Sequence, residues 1–561
     1  MNPHSPILDQ PETIEWDDNP VHDPYRLANQ DLYFDVNADT DVVDLFWPWA
    51  GELYAKRIAL RVSAPREEDL MPMITQRFPG HQELILGTEG VILTKRVAAP
   101  RQSEYDRSII WLLDCQAEGD RLLRLDVEID WGEPLTQRMV DGLLVAQRNP
   151  GPQRGIYNQS NAERTCVFGN PDARPDHIEF TSDQHTHLVY HVLVNGMVEV
   201  PLLLTLSDVG EQMAWNGFLA LRDADRAFEL STKSWNKLLK TGRLWTPDVA
   251  LNHAVQRGKL LAMRQVQRLR SGFAATDRST IHSGALIDCC DLVDIILSRN
   301  LLAHLRRVAE KTMGRLPMVL PLHNKEAAID PELRLVETNA AYLQALVHHL
   351  THHFDATLLA AHYQAVGLCI EQALHDEADP NERSGNVVEQ LAIQRSLLLR
   401  DAVQLATWRQ DDTNLGHWQA VLTDLGRQLP QETYHIQSWQ PVDTLWDAIA
   451  FTGQTIWSQC GLIWQDDRLT VEPTNLNHWP WWALLDLPFV DDRTLSLYWD
   501  GTTLHSTQPI VSSLPTQQWD TIRARGTDEL EFDLHFELQS EVDGEKRTER
   551  VHPQFLQAPN Y

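Results

Sequence analysis

The hydrophobic period of this chain changes twice along its length, and that limits the fold more than any single motif does. From about residue 30 to 230 the apolar residues alternate with polar ones. Leu123-Arg124-Leu125-Asp126-Val127-Glu128-Ile129-Asp130-Trp131 is the clearest case, and a period of two belongs to a half-buried strand. After Trp235 the apolar positions fall three and four apart, the spacing of a helix with one buried face. From about residue 461 alternation returns, most strictly in Leu530–Leu538 (LEFDLHFEL). The expected fold class is therefore multidomain α+β, with an N-terminal antiparallel β-sandwich, a central domain of paired helices and a small C-terminal β-domain. The expected boundaries are an irregular arm rich in Pro, Asp and Asn over 1–28, the sandwich over 29–234, the helical domain over 235–460 and the last domain over 461–561.

Within the sandwich, Leu84–Gly87 and Gly90–Arg96 read as a hairpin. Ile109–Leu113, His187–Val194 and Val198–Leu206 read as further strands. Pro247 and Asp248 open a helix that runs from Val249 to Leu269, with Pro at its first turn and an acid early in it. Further helices are expected over 283–298, 300–313, 338–353, 356–375, 386–408, 414–428 and 442–459. Short loops join them, apart from a long polar loop over 315–336. Asp500-Gly501 and Asp543-Gly544 are turn signals in the C-terminal part.

Charge and cysteine usage narrow the partners. A formal net charge of −31 spread along 561 residues disfavours nucleic acid and anionic membrane surfaces. Met1–Pro20 has neither a basic segment nor an apolar core of a signal peptide. No run approaches the ~18 apolar residues that span a bilayer. The six cysteines show no metal-ligand spacing, which is expected of reduced, buried thiols in a cytoplasmic protein. The 19 Trp residues suit either cores or sugar-stacking platforms. Trp47-Pro48-Trp49 and the group Trp479, Trp481 and Trp482 invite both readings, with packing favoured by composition.

Several familiar chemistries leave no trace. There is no GxGxxG after a strand, no P-loop and no GxSxG elbow. His348, His349, His352 and His353 form HHxxHH on one helix, which sets two i,i+4 imidazole pairs on its faces. That spacing suits a metal pair. No Glu lies between the histidines as in HExxH, so a structural or surface role is the expectation, with no metal and no cofactor. Asp376, Glu377 and Asp379 read as solvated loop charges.

The order of these segments resembles the six-hairpin glycosidases, which include amylo-1,6-glucosidase and glucoamylase types. Leu84–Arg96 (LILGTEGVILTKR) resembles the sandwich hairpin of that family. Thr276-Asp277-Arg278-Ser279-Thr280, followed by Gly284-Ala285-Leu286, resembles its Arg-Asp loop with the order of the pair reversed. Glu337-Thr338-Asn339-Ala340-Ala341-Tyr342-Leu343 through Asp355 resembles the helix that carries an acidic residue. Arg383-Ser384-Gly385-Asn386-Val387-Val388-Glu389 resembles an R-x-G-x-x-V-E helix start. Leu469–Trp482 resembles the closing β-domain. The likeness extends over about residues 30 to 510, by the order of weak motifs rather than by any one of them.

The resemblance implies an α/α toroid for the helical domain. It also implies a glycoside hydrolase acting on an oligosaccharide or glycoside, inverting, with two carboxylates as acid and base and no cofactor. Glu337 and Glu389 are the candidate catalytic pair. Asp277, Arg278, His323, Glu326, Asn339 and Arg383 are the candidate sugar contacts. The chain also departs from the family pattern. It gives roughly eight helices rather than the twelve of a full ring, a short segment before Arg383, and no evident counterpart of a second acidic motif. Either the ring is incomplete or the site has been rebuilt. The rival expectation is a non-catalytic relative that binds glycan or protein, or a sugar isomerase or lyase with His323 or His282 as base in the same cavity.

Overall fold

The computed structural model describes residues 12–15, 25–47, 52–64, 70–88, 90–101, 105–148, 164–269, 272–275, 283–311, 331–375, 385–428, 445–465, 468–473, 479–489, 493–525, 535–542 and 545–552. They fall into two compact units. One comprises Leu8–Leu238 with Val266–Arg270, and the other Leu239–Gln265 with Ser271–Tyr561.

The first unit is built on a 14-stranded antiparallel sheet folded into a sandwich. Two strands of 23 residues, Ser108–Asp130 and His185–Ser207, run through both layers and pair with each other along almost their whole length. At one end Ser108–Asp130 pairs with Val91–Ala98, and at the other with Glu52–Ser63. The sequence reading split each long strand into two. The physical reason is visible where the register shifts between Val194 and Gly196, because the alternation changes phase there while the backbone continues. Trp47, Trp111, Trp131, Phe34 and Phe168 fill one continuous core between the layers. Trp47 thus has the packing role, while Pro48 and Trp49 lie outside the described residues.

Two expectations for this unit fail. The arm over 1–28 is not wholly irregular, because Glu12–Glu15 pairs with Met71–Arg77 and Tyr25–Ala28 pairs with Tyr33–Val36. Helix also begins before Trp235, with α1 at Glu211–Ala220 and α2 at Ala224–Lys240. Ala214 and Phe218 of α1 are buried against the apolar outer face of the sheet, and Thr205 Oγ1 donates to Ala214 O at 2.8 Å. A helix covering an apolar sheet face carries its own short apolar stripe, which strand alternation on either side masks.

The second unit contains α3 (Val249–Gln265), α4 (Ser283–Asp291), α5 (Ile295–Lys311), α6 (Pro331–His352), α7 (Ala356–Leu374), α8 (Gly385–Arg409), α9 (Asp412–Gln428) and α10 (Leu445–Gln454). A π-helical turn, Thr455–Gln459, follows α10. Among the described residues these are four antiparallel pairs. The expected helix over 283–298 is two helices, because Asp294 caps α5 by accepting from the N–H groups of Ile296 and Leu297 at 2.9 and 3.1 Å. The expected loop over 315–336 ends earlier, at Pro331, the first residue of α6.

The C-terminal strands form a five-stranded sheet completed by Arg243–Trp245, a three-stranded sheet and a two-stranded sheet. Trp482 and Trp499 share a core with Val255, Leu292 and Trp457 of the helices, and Trp481 packs in a second cluster with Tyr498 and Trp519. Trp479 lies partly buried against the first of these cores, so all three tryptophans pack rather than offer a sugar platform. All six cysteines are buried thiols outside any disulfide. No helix among the described residues is long and apolar enough to cross a membrane.

The three tight turns of the helical array are each closed by an aspartate. Asp294, Asp355 and Asp411 stand immediately before α5, α7 and α9 and accept from backbone N–H groups of the first turn. Asp355 accepts from Thr357 and Leu358 and also pairs with Arg299 on α5 at 3.2 Å. Asp355→Ala is expected to cost about 1 kcal/mol, the ordinary loss for an N-cap, seen as a lower urea midpoint with an unchanged slope.

Candidate functional site

Connection lengths in the helical array alternate. The links at 292–294, 353–355 and 410–411 are tight. Those at 266–282, 312–330, 375–384 and 429–444 are long. Because successive helices reverse direction, every long link joins the array at the end where α4, α6, α8 and α10 begin. Those four helices run parallel as neighbours. Ser283 Oγ at the start of α4 donates to Ala341 O of α6 at 2.6 Å, while Asp288 and Asp291, further along α4, meet histidines further along α6. At the loop end, Glu332 in the first turn of α6 pairs with Arg395 of α8 at 2.6 Å. Arg395 Nε also donates to Ala373 O at the end of α7 at 2.7 Å, which ties three helices together.

The sequence-derived site residues divide between described and undescribed positions. Asp277, Arg278, His323, Glu326 and Arg383 fall in the long links, outside the described residues, as do His282, Asp376, Glu377 and Asp379. Glu337 sits in the second turn of α6, half-buried, rather than at a helix start, and Glu389 sits in the second turn of α8, exposed. Asn339 is fully enclosed and donates to Cys369 O and Gln372 Oε1 of α7 at 3.4 and 3.2 Å. Its Nδ2 therefore joins α6 to α7.

Further along the same helices lies a constellation in which all four histidines of HHxxHH face other helices. His348 Nδ1 and His352 Nε2 both reach Asp288 Oδ1 on α4, at 2.8 and 3.0 Å. His349 Nδ1 meets Asp291 Oδ1 at 2.8 Å, with both side chains fully buried. A carboxylate can only accept, so each imidazole N–H donates. The ring of His352 stacks on Trp457 with centroids 4.0 Å apart and planes 9° from parallel. Trp457 Nε1 donates to the backbone carbonyl of Asp288 at 3.0 Å. The close approach depends on two glycines. A Cβ on Gly453 would lie 2.6 Å from that of Asp288, and one on Gly284 would lie 3.0 Å from His348 Nε2.

Electrostatics separate the members of this group. Burial works to raise the Asp288 pKa, but the charge and hydrogen bonds of His348 and His352 outweigh it and hold the carboxyl well below its usual range. Burial works to lower the pKa of His348, and Asp288 more than offsets it, so that imidazole stays protonated to higher pH than usual. Asp401 on α8 is buried, which raises its pKa, only partly countered by Arg400 beside it at 3.1 Å. His348 also feels the charge of Asp401. Three adjacent parallel helices thus supply a low carboxyl, a raised imidazole and a raised carboxyl, an arrangement able to hold a proton or a cation.

The sequence reading found the histidines and missed Asp288, Asp401 and Trp457. The i,i+4 spacing is local and legible. The partners are distant in sequence, with Asp288 60 residues from His348 and Trp457 169 from Asp288, and only the packing of α4, α6, α8 and the turn after α10 brings them together.

No family profile matches the sequence, and no curated protein is significantly similar to it. Among solved structures, a putative kojibiose phosphorylase from the human microbiome superposes over 94% of this chain and 96% of its own, with a TM-score of 0.54 and 8% identity. An inverting mannosidase of family GH92 from Bacteroides thetaiotaomicron gives 0.48 over 76% and 62%, with 10% identity. A bacterial glucoamylase complexed with acarbose gives 0.47 over 74% and 70%, also with 10% identity. The likeness to the first, across nearly the full length of both chains, shows that this chain shares that protein's fold.

Proposed function

We propose that this chain, having that fold, is a carbohydrate-active enzyme that cleaves a glycosidic bond with inversion, using Glu337 and Glu389 as its carboxyl pair. The fold carries this reading, since 94% of the chain superposes on a protein described as a putative kojibiose phosphorylase. The topology is consistent with it. Glu337 and Glu389 occupy the second turns of neighbouring parallel helices, at the end where all the long links attach. Inversion needs one carboxyl to protonate the leaving oxygen and another, roughly 6.5–9.5 Å away, to activate the attacking group. That group is water in a hydrolase and phosphate in a phosphorylase. Asp277, Arg278, His323, Glu326 and Arg383 are the proposed sugar contacts; Asn339 is withdrawn because its amide is committed to α7. Buried cysteine thiols outside any disulfide support a reducing compartment such as the cytoplasm.

The test is sugar release from a panel of α- and β-linked oligosaccharides, with and without inorganic phosphate, on wild type, Glu337→Gln and Glu389→Gln. Each substitution is expected to reduce turnover by at least roughly 10²-fold, the range for losing an acid or base, with the circular dichroism of wild type. Phosphate dependence would identify phosphorolysis. Turnover undiminished in both variants would remove these two residues from the chemistry, and no turnover on any substrate would favour a glycan-binding protein.

A further inference from the structure

We propose that Asp288, His348 and His352 bind one divalent transition-metal ion, of the Zn²⁺ class, through Asp288 Oδ1, His348 Nδ1 and His352 Nε2. The three ligand atoms lie within 4.8 Å of one another, and both nitrogens stand 2.8–3.0 Å from the same oxygen. Metal–ligand bonds of about 2.0–2.1 Å at tetrahedral angles place ligand atoms about 3.3 Å apart, so an opening of about half an ångström admits the ion. Two imidazoles and one carboxylate suit borderline first-row metals and not Ca²⁺ or Mg²⁺, which take oxygen ligands.

The ligands are held before any ion arrives. His348 and His352 are one helical turn apart on α6, and Asp288 comes from the parallel α4. The ring of His352 is fixed by Trp457, which also grips the carbonyl of Asp288. Such outer contacts are how metal sites orient their ligands. The neighbouring Asp291–His349 pair shows the purely packing version of the same contact, since both its side chains are 0% exposed. The His348 side chain, by contrast, is 34% exposed, which gives an ion a way in and leaves coordination positions for water or a substrate oxygen. The site is separate from the carboxyl pair. His348 lies eleven residues beyond Glu337 on α6, about 16 Å by helix rise, and the glycoside reading requires no metal.

The experiment uses full-length, tag-free protein stripped with a chelator and titrated with Zn²⁺ and with Co²⁺. One equivalent should bind, Co²⁺ should develop visible absorption, and the thermal midpoint should rise with metal. Asp288→Asn and His348→Gln should each weaken binding by more than the roughly 10–100-fold that outer-contact changes cost. His417→Gln, on the exposed face of α9, should leave it unchanged. Wild type that takes up less than one equivalent and gives no Co²⁺ absorption would overturn the proposal without any variant. So would unaltered affinity in a natively folded Asp288→Asn protein. None of these readouts depends on sugar cleavage, so an inactive enzyme and an absent metal site are told apart.

Discussion

Asp291→Ala is expected to destabilise the helical unit by about 3–5 kcal/mol, the usual loss when one member of a buried pair that includes an ionised group is deleted. Asp291 and His349 are both 0% exposed, and the carboxyl is held below its usual pKa by the imidazole facing it despite the burial that works to raise it. Among the described residues, Asp291 Oδ2 and His349 Nε2 have no hydrogen-bond partner. The Nδ1–Oδ1 contact therefore carries most of the compensation for burying both groups. Alanine would leave the His349 N–H buried without an acceptor, inside a core that water does not reach. Asp291→Asn keeps an acceptor of the same shape and should lose only about 1–2 kcal/mol, the excess of a charged over a neutral hydrogen bond. Urea unfolding followed by tryptophan fluorescence measures both, since Trp457 reports on this region. If alanine and asparagine lose the same amount, or alanine loses under 1 kcal/mol, the pair is not what holds α4 to α6.

That dependence on a pair about 60 residues apart explains what the sequence could and could not disclose. Periodicity is a local property, and it placed the sandwich, the helices and the closing strands in their order. The helix start after Asp355 is equally legible, because a cap acts on the next three residues, whereas the start after Asp411 falls two residues before the expected 414. The break at Asp294 was not legible, because Leu292, Val293, Ile295 and Ile296 continue the apolar run across the turn and hide it. HHxxHH was read correctly as two faces of one helix. Its meaning depended on α4, whose residues Asp288 and Asp291 look unremarkable in the string DCCDLVD. Asn339 illustrates the complementary limit. A polar residue in a motif-like stretch looks available, and only the packing of α7 shows its amide enclosed.

The same register explains the division of labour along α6. Its first turns carry Glu332 and Glu337 near the long links, where sequence variation is cheap because links tolerate insertion. Its last turns carry the histidines, where Gly284 and Gly453 bring α4 and α10 close enough that one added methyl would collide. The end of α6 that adjoins the long links and the end that packs tightly on its neighbours are thus opposite ends of one helix.

The stability of this unit should fall steeply as the pH drops from 6.5 to 4, and His362 should account for much of the fall. His362 of α7 is buried, its Nδ1 shares a 2.7 Å hydrogen bond with the Tyr342 hydroxyl, and it titrates near 4. Burial depresses it first, with smaller contributions from the charges of Arg306 and His349 and an opposing one from Glu310. Because the folded pKa lies below the unfolded value of about 6.5, the unfolded chain takes up the proton first. The contribution of the neutral ring is fully present above pH 6.5 and is lost as the pH falls toward 4. Between pH 7 and 4.5 the loss amounts to about 2 kcal/mol for this group alone. Carboxylates that titrate in the same window act on wild type and variant alike, so the difference between them isolates His362. His362→Gln should be less stable than wild type at pH 7, because its fit to Tyr342 is imperfect, and the gap should close or reverse by pH 4.5. Urea midpoints at half-unit steps of pH give the two curves. A gap that stays constant to within about 0.5 kcal/mol across the range would mean that His362 is already protonated in the folded protein.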